Sequence, residues 1–213
     1  MKIDFTYNKE KDIWCLLNKG KSSNNSSKPT KIYEQLVEFV GENPDENSTA
    51  NFIDKYIVDN QIDIEKYIEN YNKEFGKISD EFQKIAEKVF GVSLEENITA
   101  YLTVNTRCPY SIEENSFFVS VSNDRLLLTV MHELWHFYTW YKFGADEQDR
   151  IGKGKYNEAK EALTVLLNIE CEHLLPEGCE DFGYPQHQEL REEILKLWKQ
   201  NPDIDFVWER ITK

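Results

Sequence analysis

The stretch MHELWH, residues 131–136, sets two histidines four apart, with a glutamate directly after the first. On an α-helix, residues i and i+4 lie one turn apart on the same side, so His132 and His136 project together. Two imidazoles at that spacing can bind one Zn²⁺. Glu133 points about 100° away, off the metal but close to it. A carboxylate there can take the proton of an attacking water and return it to a leaving amine, and the ion lowers that water's pKa to about 7. With 4 histidines in 213 residues, a chance HExxH is an event of roughly one in a hundred. The flanks argue further against chance. Val130, Met131, Leu134, Trp135, Phe137 and Tyr138 are uncharged, as a metal helix buried in a domain requires. A solvated helix carrying two incidental histidines would show Lys or Glu at those places.

Working outward, the helix starts after Asn123 or Asp124, either of which can cap it, and runs to about Phe143 before Gly144. Upstream, ITAYLTV (98–104) and SFFVSVS (116–122) read as strands. In the second, Phe118, Ser120 and Ser122 share one face and Phe117, Val119 and Val121 the other. Downstream, GADEQDRIGKGKYN (144–157) reads as a charged loop. A helix is expected over about 157–174, stopping at Pro176, with further helices near 186–199 and 204–211.

The order of motifs resembles the active-site region of the zincin metallopeptidases, on the residues VMHELWHFY (130–138). The metzincin pattern HExxHxxGxxH does not fit, because Thr139 stands at the Gly and Lys142 at the third His. The inverted HxxEH order is also absent. The resemblance is therefore to the gluzincins, and implies a third ligand from a Glu on a later helix. YNEAKEALTVLLN (156–168) offers Glu158 and Glu161, three apart on one face. Glu158 follows Asn157, like the Asn-Glu pair of thermolysin-like enzymes, and lies 22 residues past His136. Glu161 lies deeper in the apolar stripe, where a carboxylate needs a partner such as a metal. A carboxylate near the helix start, like Glu158, is favourable for the helix dipole alone. Glu161 is the preferred ligand and Glu158 the alternative.

The resemblance also implies an oxyanion donor from a later segment, for which GYPQHQELR (183–191) supplies Tyr184 and His187. It implies a substrate-pairing edge strand as well, a role SFFVSVS would take. Cys171, His173 and Cys179 hint at a second metal cluster, but no fourth ligand has regular spacing. Trp135, Phe137, Tyr138, Trp140 and Tyr141 are most simply core.

The rest of the chain bounds the reading. Residues 1–8 alternate as an early strand, with Ile3, Phe5 and Tyr7 apolar. Residues 20–29, GKSSNNSSKP, form a loop. Thr30 to Phe90 carries about four short amphipathic helices. The expected organisation is a mainly helical region over 1–92 and a zincin-like region over 93–213, in one continuous unit. The fold class is α+β, with a small sheet packed on the active-site helix. A net charge of −14 argues against nucleic acid and anionic membrane as partners. No apolar run approaches the ~18 residues of a membrane span. The N-terminus has no apolar leader, and four widely spaced cysteines make no CxxC, so a cytoplasmic protein with reduced thiols is expected. The expected activity is Zn²⁺-dependent hydrolysis of peptide or protein substrates, with Glu133 as base and His132, His136 and Glu161 as ligands. Two alternatives are a metal-dependent small-amide hydrolase and a non-catalytic metal-holding binding or regulatory module.

Overall fold

The computed structural model describes residues 2–22, 28–94 and 97–213. The middle of the expected 20–29 loop lies outside them. The chain is α+β, with a four-stranded mixed sheet. Its elements fall into two units: Met1–Gly76 with Glu96–Leu126, and Lys77–Glu95 with Leu127–Lys213. These units follow a different division from the one expected at residue 92. The strand β1 (Lys2–Tyr7) pairs in parallel with β2 (Asn97–Thr103), and the helices up to Gly76 fall in the same unit as the sheet. Among the described residues, no helix is long and apolar enough to cross a membrane.

In the first unit, the strand order is β1-β2-β4-β3, where β3 is Tyr110–Ser111 and β4 is Ser116–Ser120. β2 and β4 are parallel, and β3 runs antiparallel to β4. β4 is therefore no open edge. The chain folds back so that β3 and the Pro109 carbonyl cover the start of its outer side. That closes the start of SFFVSVS, Ser116 to Phe118, to the substrate pairing expected of it. Among the described residues, the unit's helices are α1 (Lys9–Lys19), α2 (Lys31–Val40), α3 (Glu46–Asp59) and α4 (Ile64–Gly76). α2 to α4 match the expected amphipathic pattern. On α4, Tyr71 stacks on Phe5 at 5.1 Å and donates to the Ser120 carbonyl at 3.0 Å.

α1 escaped the sequence reading because its inward stripe is partly polar. Its buried residues are Asp12, Cys15 and Leu16, while Trp14 is exposed. The Asp12 carboxylate accepts from the Thr103 hydroxyl at 2.6 Å and from the Val104 N–H at 3.1 Å. Burial outweighs these bonds and pushes its carboxyl up to about 6. The folded state thus holds the proton more tightly than the unfolded chain, so Asp12 weakens folding as pH rises from about 4 to about 6, by about 3 kcal/mol for about two pKa units. Asp12→Asn removes that slope. In urea unfolding it is expected to gain about 3 kcal/mol on the wild type between pH 4 and pH 7.

Among the described residues, the α-helices of the second unit are α5 (Ser79–Phe90), α6 (Leu126–Ile151, whose first residue falls in the first unit), α7 (Lys153–Leu163), α8 (Leu167–Glu170), α9 (Gln188–Gln200) and α10 (Ile204–Ile211). Trp135 and Tyr138 of α6 are fully buried and pack on α5. Phe90 stacks on Tyr138 at 5.8 Å and meets Trp135 edge-on at 5.0 Å. Phe143 stacks on Trp208 of α10 at 4.0 Å. The aromatic cluster is core, as expected, although Tyr141 is exposed. Gly144 interrupts α6 with a φ of 57° where a helix end was expected. The following segment, expected as a loop, instead continues as helix to Ile151 and re-enters helix at Lys153. The expected single helix over 157–174 is a relay of α7, a 3-10 turn at Thr164–Leu166, α8 and a second 3-10 turn at Glu172–Leu174.

Candidate metal centre

The histidines stand on the most buried turns of α6, where apolar residues from Leu128 to Tyr138 give the helix its hold in the core. Their rings lie 4.6 Å apart between centroids. Glu161 on α7 meets them. Its Oε2 lies 3.5 Å from His136 Nε2 and 3.8 Å from His132 Nε2. One ligand atom from each of the three lies within 4.8 Å of the others. Glu158, one turn earlier, is exposed and stands outside this group. The burial argument that favoured Glu161 thus describes where the two carboxylates go.

The electrostatics suit a cation. Burial, helped by the nearby Lys160 ammonium, pushes His136 down to about 3, which keeps it the neutral imidazole a metal needs. For Glu161, burial works to raise the pKa, but His136, His132 and Lys160 together hold it well below the usual carboxylate range. It is an anion inside the unit. Glu133 is 7% exposed. Burial pushes its carboxyl up to about 7, against the lowering pull of His132. A group near that value can both take and give a proton at neutral pH.

Behind the ligands stands a residue that sequence reasoning missed. Asp181 Oδ2 lies 2.6 Å from His132 Nδ1, which leaves Nε2 facing Glu161. A carboxylate on the far nitrogen fixes the ring and raises its basicity. Burial disfavours the charge on His132, but Asp181 and Glu161 outweigh it and hold its pKa well above the ordinary value. Asp181 is itself clamped. Arg191 Nη2 reaches its Oδ1 at 3.0 Å, and Asn168 Oδ1 accepts from its N–H at 2.7 Å. The Thr164 hydroxyl lies 3.1 Å from Oδ1 and accepts from Arg191 Nη1 at 3.0 Å. Glycine suits position 183, since a Cβ would lie 2.6 Å from the Arg191 guanidinium and its φ is 59°. Burial would raise the Asp181 pKa, but His132 and Arg191 lower it to about 2. Asp181→Ala strands Arg191 in the interior without its ion partner. Urea unfolding is expected to show a loss of about 3–5 kcal/mol, as for other broken buried pairs.

The oxyanion candidates are placed less decisively. Tyr184 is 38% exposed, and its ring meets that of His187 edge-on at 5.7 Å. His187 is buried on the turn Pro185–His187, which packs against α7, and its Nδ1 has no hydrogen-bond partner. Neither hydrogen-bonds to the ligand group. The hint of a second cluster is not met: Cys171 is buried with its thiol pushed up to about 12 by desolvation, and His173 faces Glu81 at 3.0 Å on the surface. Among the described residues, the group at His132 is the sole His/Cys/Asp/Glu set with ligand geometry.

Compared with protein-family models, with curated proteins and with solved structures, the chain shows no match.

Proposed function

We propose that the chain is a zinc-dependent peptidase of the gluzincin type within the zincins. His132, His136 and Glu161 hold the ion, and Glu133 is the general base and then the acid. The observation that carries this reading is the convergence of two imidazole nitrogens and one buried carboxylate oxygen within 4.8 Å. That donor set fits Zn²⁺ and also suits Mn²⁺, Co²⁺ or Ni²⁺. Three protein ligands leave a coordination position open, as catalytic sites do and closed structural sites do not.

When bound, the ion supplies Lewis-acid activation of water and of the scissile carbonyl. The residues do the rest. Asp181 holds His132 in the ligating orientation. Glu133 Oε accepts the proton of the attacking water and delivers it to the leaving amide nitrogen. Tyr184 or His187 donates to the developing oxyanion. The buried surroundings of the three carboxylates exclude bulk water and strengthen each of these interactions.

The test is metal content followed by chelation. Purified protein is expected to carry one equivalent of divalent metal and to cleave members of a peptide and native-protein mixture, read by mass spectrometry of new termini. A chelator should abolish cleavage and Zn²⁺ should restore it. Cleavage indifferent to the chelator would overturn the reading. Metal without any cleavage would favour the metal-holding module, and cleavage confined to non-peptide amides the small-amide hydrolase.

A further inference from the structure

Lys160 is an unexpected resident of this site. It immediately precedes Glu161 on α7, and consecutive helical residues point about 100° apart rather than toward each other. A lysine ordinarily carries its ammonium into water, and burying one is costly without a partner. Here the side chain is 5% exposed, and its Nζ donates to Glu161 Oε1 at 2.8 Å. α7 is buried from Ala159 through Leu163, so the ammonium sits inside the unit. The two oxygens of Glu161 are therefore divided. Oε1 is engaged by Lys160, and Oε2 faces both histidines.

We propose that Lys160 is a positioning residue of the metal centre: by holding Oε1, it presents Oε2 alone to the ion and keeps the carboxylate from closing on it with both oxygens. This rests on the metal-site reading above. A carboxylate bound through both oxygens would occupy a position that a reacting water or carbonyl needs. One left free to swing would lose the orientation on which affinity depends. Glu161 supplies the ligand atom, and Lys160 sets which atom it is.

Co²⁺ tests this without any substrate. The metal-free full-length chain is titrated with Co²⁺, and affinity and the visible ligand-field spectrum are read for the wild type, Lys160→Met and Lys160→Arg. Lys160→Met, which keeps the stem but no donor, is expected to change the affinity by about 10–100-fold, the range for outer-shell partners. Its spectrum should shift toward the weaker absorption of a higher coordination number. Lys160→Arg, which keeps a charged N–H donor, should restore both. If Lys160→Met does not fold, Lys160→Ala with added propylammonium carries the comparison, and the amine should recover the wild-type spectrum. A Lys160→Met protein with wild-type affinity and spectrum overturns the proposal and leaves the metal site standing. So does propylammonium without effect. A wild type that takes up no Co²⁺ overturns the site and the proposal together.

Discussion

Glu133→Gln is expected to lower hydrolysis by about 10²–10⁴-fold while metal content stays at the wild-type level. The amide is nearly isosteric with the carboxylate, so the fully packed helix around Leu134, Trp135 and Phe137 is undisturbed. What it lacks is the ability to accept a proton. Glu133 lies outside the set of three converging ligand atoms, which is why the ion should remain. Metal content by plasma mass spectrometry and turnover on any substrate found by terminus mapping are read on the same preparation. Full activity in Glu133→Gln would remove Glu133 as the base. Loss of metal with loss of activity would instead make it a ligand or a support of the fold. A metal-holding module would show neither turnover in the wild type nor a change in partner affinity in the variant. A peptidase restricted to one protein looks inert on generic peptides, so native-protein mixtures belong in the assay.

How much of this was legible in the residues varies with the range of the interaction. The helix that carries His132 and His136 was readable because i, i+4 spacing and uncharged flanks are local properties of one segment. Choosing Glu161 over Glu158 needed only the rule that a carboxylate deep in an apolar stripe wants a partner. Asp181 lies 49 residues from His132, and no local pattern ties DFG to a histidine ring. The one faint signal was Gly183, a residue that allows a positive φ and the close approach of Arg191. Lys160 was hidden for the opposite reason. Beside a glutamate on a charged helix it reads as a solvated surface residue, and only tertiary burial reverses that.

In the fold, the same contrast holds. α1 was invisible because Asp12 occupies a core position and breaks the apolar period. The segment after Gly144 was rich in charge, and in its helical form Glu147 pairs with Arg150 at 2.6 Å and accepts from Trp208 at 2.7 Å. The second of those partners is 61 residues away. β3 is two residues long, too short for any alternation to register. Yet β3 is what covers the start of β4, so an unreadable dipeptide narrows a readable role.

Glu161→Ala is expected to cost metal binding on the scale of a whole ligand, and Glu158→Ala to cost nothing measurable. Structural four-ligand zinc sites bind with about 10–16 kcal/mol, so one ligand's share is about 3–4 kcal/mol, or about 10²–10³-fold in affinity. The alanine also abandons Lys160 in the interior, where loss of an ion partner costs about 3–5 kcal/mol of stability. Those two losses need separating, and Glu161→Gln separates them. Its amide oxygen can still accept from Lys160, so the stability loss should be smaller than in Glu161→Ala while the neutral, weaker ligand still loses affinity. Zn²⁺ competition against a chelating dye reads the affinity, and urea unfolding of the metal-free proteins reads the stability. Glu158 sits at the exposed face of α7, so its removal should leave both quantities within about 0.5 kcal/mol of wild type. Metal lost in Glu158→Ala but kept in Glu161→Ala would mean that the carboxylate converging on the histidines is not the one that binds.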